Sequence, residues 1–171
     1  ALHGAELAAD LVNGGEGAAQ LAEVGSGGLS GLGGAKLTIV SADTKSNPQA
    51  GASEAARLVT EERVVGLVGA YDTAVTEAAS QRTERLRVPF VNGDSPAGYL
   101  TERGLDWFFR TGPTDRMFGE AFYSTLQQEQ IRPKRISMLY TADAAGESLH
   151  RVLHDLAPEA DYNQHGMVKF E

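Results

Sequence analysis

The stretch VPFVNGDSPAG, Val88 to Gly98, delivers an apolar run into Gly93, Asp94 and Ser95. A serine placed directly after a strand is a nucleophile when a histidine base and oxyanion donors stand beside it. An esterase of the Gly-Asp-Ser type needs that serine on the first strand and takes its base from a late Asp-x-x-His. Here Asp161 and His165 are one residue too far apart, and the Gly-Asp-Ser follows several strand and helix units. An offset of one turns the imidazole away. Ser95 is therefore expected as a ligand hydroxyl or a turn former, with a Gly-Asp-Ser serine esterase as the enzymatic alternative. A second cluster, Tyr71-Asp72-Thr73, follows the run VVGLVGA and opens a helical pattern. Backbone N–H groups at a helix start have no intrahelical partner, and the dipole favours an anion there by about 0.3–1 kcal/mol. Those groups and the Thr73 hydroxyl can meet an anionic ligand, while Asp72 or Thr73 can equally be an N-cap.

Three further groupings carry less chemistry. His150 and His154 stand four apart in a helical pattern, a spacing that can grip zinc; a metalloprotease places Glu directly after the first His, where this chain has Arg151, so a solvated helix face is expected. The glycine-rich GLGGAK has no glycine immediately before Lys36 and no Ser or Thr after it, and it precedes a strand, so it is a linker rather than a phosphate loop. Trp107, Phe108 and Phe109 are consecutive and cannot all face one side of a strand, which points to packing instead of base stacking.

The elements that must position these residues alternate. Leu2, Ala5, Leu7, Ala8, Leu11 and Val12 recur at helical spacing and stop at Asn13-Gly14-Gly15. A mobile glycine-dominated loop is expected over 25–34, then a strand KLTIVSAD from Lys36 to Asp43. Asn47 caps a helix with Pro48 at its first position, running to about Glu62. Strands follow at Val64–Ala70, Val88–Asn92, Asp106–Thr111 and Arg135–Thr141, with helices at Thr73–Leu86, Thr114–Gln130 and Ala144–Leu156 between or after them. The stretch ADYNQHGMVKFE is a further candidate strand, and TGPTD, Thr111 to Asp115, interrupts the pattern as a crossover or hinge. Strands alternating with helices imply a mainly parallel, Rossmann-like sheet flanked by helices.

The chain has 171 residues, enough for a proper core, with 15 Lys and Arg against 23 Asp and Glu. The resulting charge of −8 repels phosphate backbones and anionic lipid surfaces, so no nucleic-acid partner is expected. No apolar run approaches the roughly 18 residues of a membrane helix, and no basic start with an apolar core marks a signal peptide, so no direct membrane insertion is expected. If the protein is exported, its address is expected to have been removed. With no cysteine, disulfides and thiol chemistry are excluded.

SADTKSNPQAGASEAARLV, VVGLVGAYDTAVTEAA, VPFVNGDSPAGYLTERG, WFFRTGPTD and KRISMLYTADAAGESL together resemble, in order and spacing, the branched-chain amino acid class of periplasmic solute-binding proteins. The resemblance implies a type I periplasmic-binding-protein fold, with 1–113 as a first α/β lobe lacking its first strand and 114–171 as the beginning of a second. It implies capture of an amino-acid-like solute or related amide or acid in an interlobe cleft, delivery to an ABC transporter permease, and no cofactor, metal or catalysis. It places the protein in the periplasm or outside the cell, with a lipid anchor through a missing N-terminus as an option. A ligand-sensing domain of a regulator shares the fold and is the alternative. Carried over by position, the ligand contacts are Tyr71, Asp72 and Thr73, then Asp94 and Ser95, with Asp143 on the second lobe. Two departures bear on the ligand: Pro96 stands where a Thr is typical and Ala145 where an aromatic closes the cleft.

Overall fold

The computed structural model describes residues 2–17, 27–131, 133, 135–162 and 164–170, which fall into two compact units, 1–43 and 44–171. In the first, α1 (Leu2–Val12) ends as its sequence dictates, with Gly14 at φ 92°. Residues 25 and 26 of the glycine loop lie outside the described residues. The rest of that loop is a built turn, in which Leu29 bridges Ala35 around a short 3-10 turn at Ser30–Leu32. The strand expected from Lys36 does not form among the described residues. Instead the Asn13 side chain brackets Leu37, donating to its carbonyl and accepting from its N–H, both at 2.8 Å, and Ile39 and Val40 stay exposed. A β-branched run becomes a strand only when a neighbour supplies its ladder bonds, and one asparagine side chain serves a single residue.

The second unit carries a parallel sheet in the order β1 (Leu67–Val68), β2 (Phe90–Asn92), β3 (Phe108–Arg110). Helix α2 (Pro48–Thr60) begins where expected, its Asn47 cap accepting from Ala50 N–H at 2.9 Å. Helix α3 (Thr73–Leu86) crosses it closely, because a Cβ at Gly51 would lie 2.7 Å from Val75 Cγ1. The register aligns Leu67, Phe90 and Phe108 on one face, where they pack with Ala55, Leu58, Ala79, Ala97 and Leu100. Their alternation partners, Val68 and Phe109, point away and are 78% and 49% exposed. The consecutive aromatics thus divide between two faces, as a pleated strand requires. Strand β1 is shorter than the seven residues expected, since it has a ladder neighbour on one edge only among the described residues.

A second pair of parallel strands, β4 (Ile136–Thr141) and β5 (Gln164–Phe170), is joined through α5 (Ala144–Glu159) and packs with α4 (Asp115–Gln128) around Tyr123, Leu156, Ala157 and Tyr162. Helix α5 runs three residues past its expected end because Pro158 falls in its last turn, where little of the hydrogen-bond ladder remains to lose. No helix among the described residues is long and apolar enough to cross a membrane.

Candidate functional site

Because β1, β2 and β3 are parallel, the segments that leave them (69–72, 93–97 and 111–114) emerge at one edge of the sheet, where loops and helix starts converge. They touch. A Cβ at Gly112 would sit 2.2 Å from the Gly93 carbonyl oxygen, so the second and third segments approach more closely than any side chain permits. Asn92, fully buried at the end of β2, ties the first two: its Nδ2 donates to the Gly69 and Ala70 carbonyls at 2.8 and 3.1 Å, and its Oδ1 accepts from Ser95 N–H at 3.1 Å.

Ser95 continues that clasp. It is 1% exposed, and its Oγ lies 3.0 Å from both the Ala70 and Tyr71 carbonyls and 2.7 Å from Thr76 Oγ1. Its hydroxyl is surrounded by two main-chain carbonyls and the Thr76 hydroxyl, its N–H goes to Asn92 and its C=O accepts from the Arg110 guanidinium, so every donor it owns is used inside the protein. Among the described residues, the groups bonded to its oxygen are two carbonyls and a hydroxyl, and none is an imidazole.

Asp72 occupies the N-cap position of α3, yet its side chain makes no cap hydrogen bond; only its carbonyl enters the helix, accepting from Thr76 N–H at 2.9 Å. Asn47, Thr114 and Asp143 all cap their helices through side chains, so the capping reading of Asp72 needs correcting. Thr73 is 3% exposed, and its Oγ1 is buried without a hydrogen-bond partner among the described residues. A buried hydroxyl left this way costs about 1–3 kcal/mol until something bonds it. Tyr71, by contrast, is 79% exposed, and Asp94 is exposed on the adjoining loop. Tyr71, Asp72, Thr73, Asp94 and Ser95 therefore belong to two joined loops, with Ser95 turned inward.

Asp143 stands apart, at the end of β4, where its carboxylate accepts from Gly146 N–H at 2.8 Å as the cap of α5. No described hydrogen bond links it to the other five. Sequence reasoning passed over Asn92 and Arg110. Arg110 NH2 donates to the Ala97 carbonyl at 2.6 Å and another guanidinium nitrogen to Ser95, while its Nε is buried without a partner among the described residues. The signal was a polar residue closing each apolar strand, Asn92 after FV and Arg110 after FF. A shallow groove of about 560 Å³ between α2 and α3, lined by Arg57, Arg82 and Arg85, lies on other elements than these loops.

The family model described as "Periplasmic binding protein" matches residues 1–171. The curated "Leu/Ile/Val-binding protein homolog 7" of Brucella abortus is 31% identical over 141 residues, which are 78% of this chain and 35% of that protein. An ABC transporter substrate-binding protein from Desulfitobacterium hafniense, solved in complex with Leu, superposes with a TM-score of 0.71 at 21% identity, covering 81% of this chain and 41% of that one. A solute-binding protein from Rhodopseudomonas palustris, solved in complex with benzoate, does so at 0.71 and 18%, covering 81% and 38%. The chain spans about a third of the length of the curated relative.

Proposed function

Since this chain belongs to the periplasmic binding protein family, with the α/β fold of its type I members, we propose that it supplies the ligand-gripping loops of a receptor for a small carboxylate-bearing solute. The observation that carries this reading is the Thr73 hydroxyl, buried and unpartnered at a helix start that no side chain caps. A carboxylate at that point receives the free N–H groups of the first turn of α3 and its positive dipole end, and gains the hydroxyl once the packing over Thr73 parts. Tyr71, exposed beside it, covers the apolar part of the solute, and Asp94 meets a cationic group if one is present. Ser95, Asn92 and Arg110 hold the two loops in place without touching solute. Asp143 contributes from the loop after β4, within the second lobe that begins at 114.

Leucine and benzoate, bound by relatives of the same fold, share a carboxylate and little else. That common feature is the one the start of α3 recognises. In place of the usual threonine, Pro96 removes a hydroxyl and an N–H that would help to orient an α-amino acid, so carboxylates without an ammonium group are favoured. The protein acts in the periplasm or outside the cell, passes its solute to an ABC importer, and performs no covalent chemistry. Titration calorimetry with leucine and with benzoate is the test. Thr73→Val, which keeps the shape and deletes the hydroxyl, is expected to weaken the bound carboxylate by about 1.5–3 kcal/mol while Thr73→Ser retains it. Equal affinities for Thr73→Val and the unsubstituted chain would sink the proposal.

A further inference from the structure

Helix α5 and strands β4 and β5 carry a grouping that solute binding leaves unused. His150 and His154 share one helix face, their ring centroids 6.2 Å apart. That face is not simply solvated, which corrects the expectation from spacing alone. The parallel register pairs Met138 with Met167 and Tyr140 with Lys169, bringing Tyr140 and Met167 to the side of the strand pair that α5 covers. The His150 ring lies flat on Tyr140, centroids 4.2 Å apart and planes 7° from parallel, and its Nε2 lies 2.6 Å from Met167 Sδ. His154 directs Nδ1 to Asp155 at 3.2 Å, and its Nε2 has no partner among the described residues.

We propose that His150, His154 and Met167 form a binding site for the soft monovalent ion Cu(I). Two imidazoles one helical turn apart chelate a range of transition metals, and the third donor sets the choice. A thioether is soft and selects Cu(I) over zinc. Charge around the histidines is balanced, Lys169 against Glu147 and Arg151 against Asp155, so the choice of ion rests on the thioether. Among the described residues no three His, Asp or Glu gather at metal-binding spacing, and the Asp155 carboxylate beside His154 faces its Nδ1, so the third donor is the thioether. Bonds of about 2.0 Å to nitrogen and 2.3 Å to sulfur at a tetrahedral angle set N and S roughly 3.5 Å apart. Met167 must therefore swing outward by roughly 1 Å, which its flexible, half-exposed side chain permits.

The test is an anaerobic titration of this chain with Cu(I) against a chromogenic Cu(I) chelator, followed by the Met167 methyl and the histidine ring resonances. The expected result is one ion withdrawn per chain, with those three residues shifting together. Met167→Leu is expected to weaken Cu(I) by about tenfold or more while leaving zinc binding by the histidine pair unchanged. His150→Ala and His154→Ala are each expected to abolish Cu(I) uptake. Should the chain withdraw no Cu(I), or should Met167→Leu bind it as tightly as the unsubstituted chain, the site does not exist. Both readouts stand even if a histidine variant fails to fold, and neither depends on solute binding.

Discussion

Asn92, Thr76 and Ser95, polar residues buried in the protein, decide how the loops present the exposed ones. Ser95 illustrates the division, since its hydroxyl bridges the carbonyls of Ala70 and Tyr71 and the hydroxyl of Thr76. Removing it leaves those acceptors short of a donor in a buried place. Ser95→Ala is expected to destabilise the fold by about 1–3 kcal/mol, seen as a lowered midpoint in urea, and to loosen the loops carrying Tyr71 and Asp94. Asp72 is the counterpart. With no side-chain cap bond to lose, Asp72→Ala is expected to cost less than the roughly 1 kcal/mol of an ordinary N-cap deletion, and a loss well above that in the same urea experiment would mean its carboxylate does cap α3.

Among the described residues, the three-stranded sheet builds its core on one face. Phe90 lies at 3% exposure in the core with Phe108 stacked at 6.0 Å, whereas Val68, one register step away, faces out. Phe90→Ala is expected to cost about 3–5 kcal/mol and Val68→Thr no more than about 0.5 kcal/mol. Chemical denaturation of the two variants measures both, and comparable losses would contradict the register. Helix α3 adds a pH signature through Glu77, which accepts a 2.8 Å hydrogen bond from Tyr99. Burial first, then that bond and the charge behind it, push the Tyr99 phenol up to about 12 from 10.0. Its folded value lies above its unfolded one, so its contribution is whole below about pH 10 and is lost as pH rises toward 12. Tyr99→Phe is expected to flatten the alkaline limb of a melting-temperature profile.

At the level of the whole molecule, one buried carboxylate connects the two sheets. Asp115 opens α4, is 1% exposed, takes a hydrogen bond from Ser148 on α5, and donates its own N–H to the Pro96 carbonyl at 2.8 Å. Burial raises its carboxyl above the usual carboxylate range, while Ser148 and the charge of Arg110 pull it partly back. An acid raised on folding favours the folded state when protonated, so its ionised form carries a cost above its folded value that fades as pH falls. Asp115→Asn is expected to match or exceed the wild type in melting temperature at pH 7, with any excess shrinking toward about pH 4. A large loss at neutral pH would show that the Asp115 charge is needed to hold Arg110.

What the amino-acid order determined by itself was the alternation of strand and helix, the starts of α2 and α3, and the pairing of loops around Thr73 and Ser95. These follow from local causes: Pro48 behind Asn47, the helical period of α3, and parallel strands that must release their chains at one edge. The tertiary structure decided the direction in which each side chain of those loops points. Ser95 and Thr73 look alike in sequence as hydroxyls after strands, but one is consumed by neighbouring carbonyls and the other is left without a bond. The same holds for Lys36 to Val40, whose composition suits a strand and whose ladder partner is absent among the described residues, and for His150, whose stacking on Tyr140 and contact with Met167 depend on the register of β4 with β5. Hydrogen-bond satisfaction and strand register are settled between segments far apart in the chain, and local propensity carries no record of them.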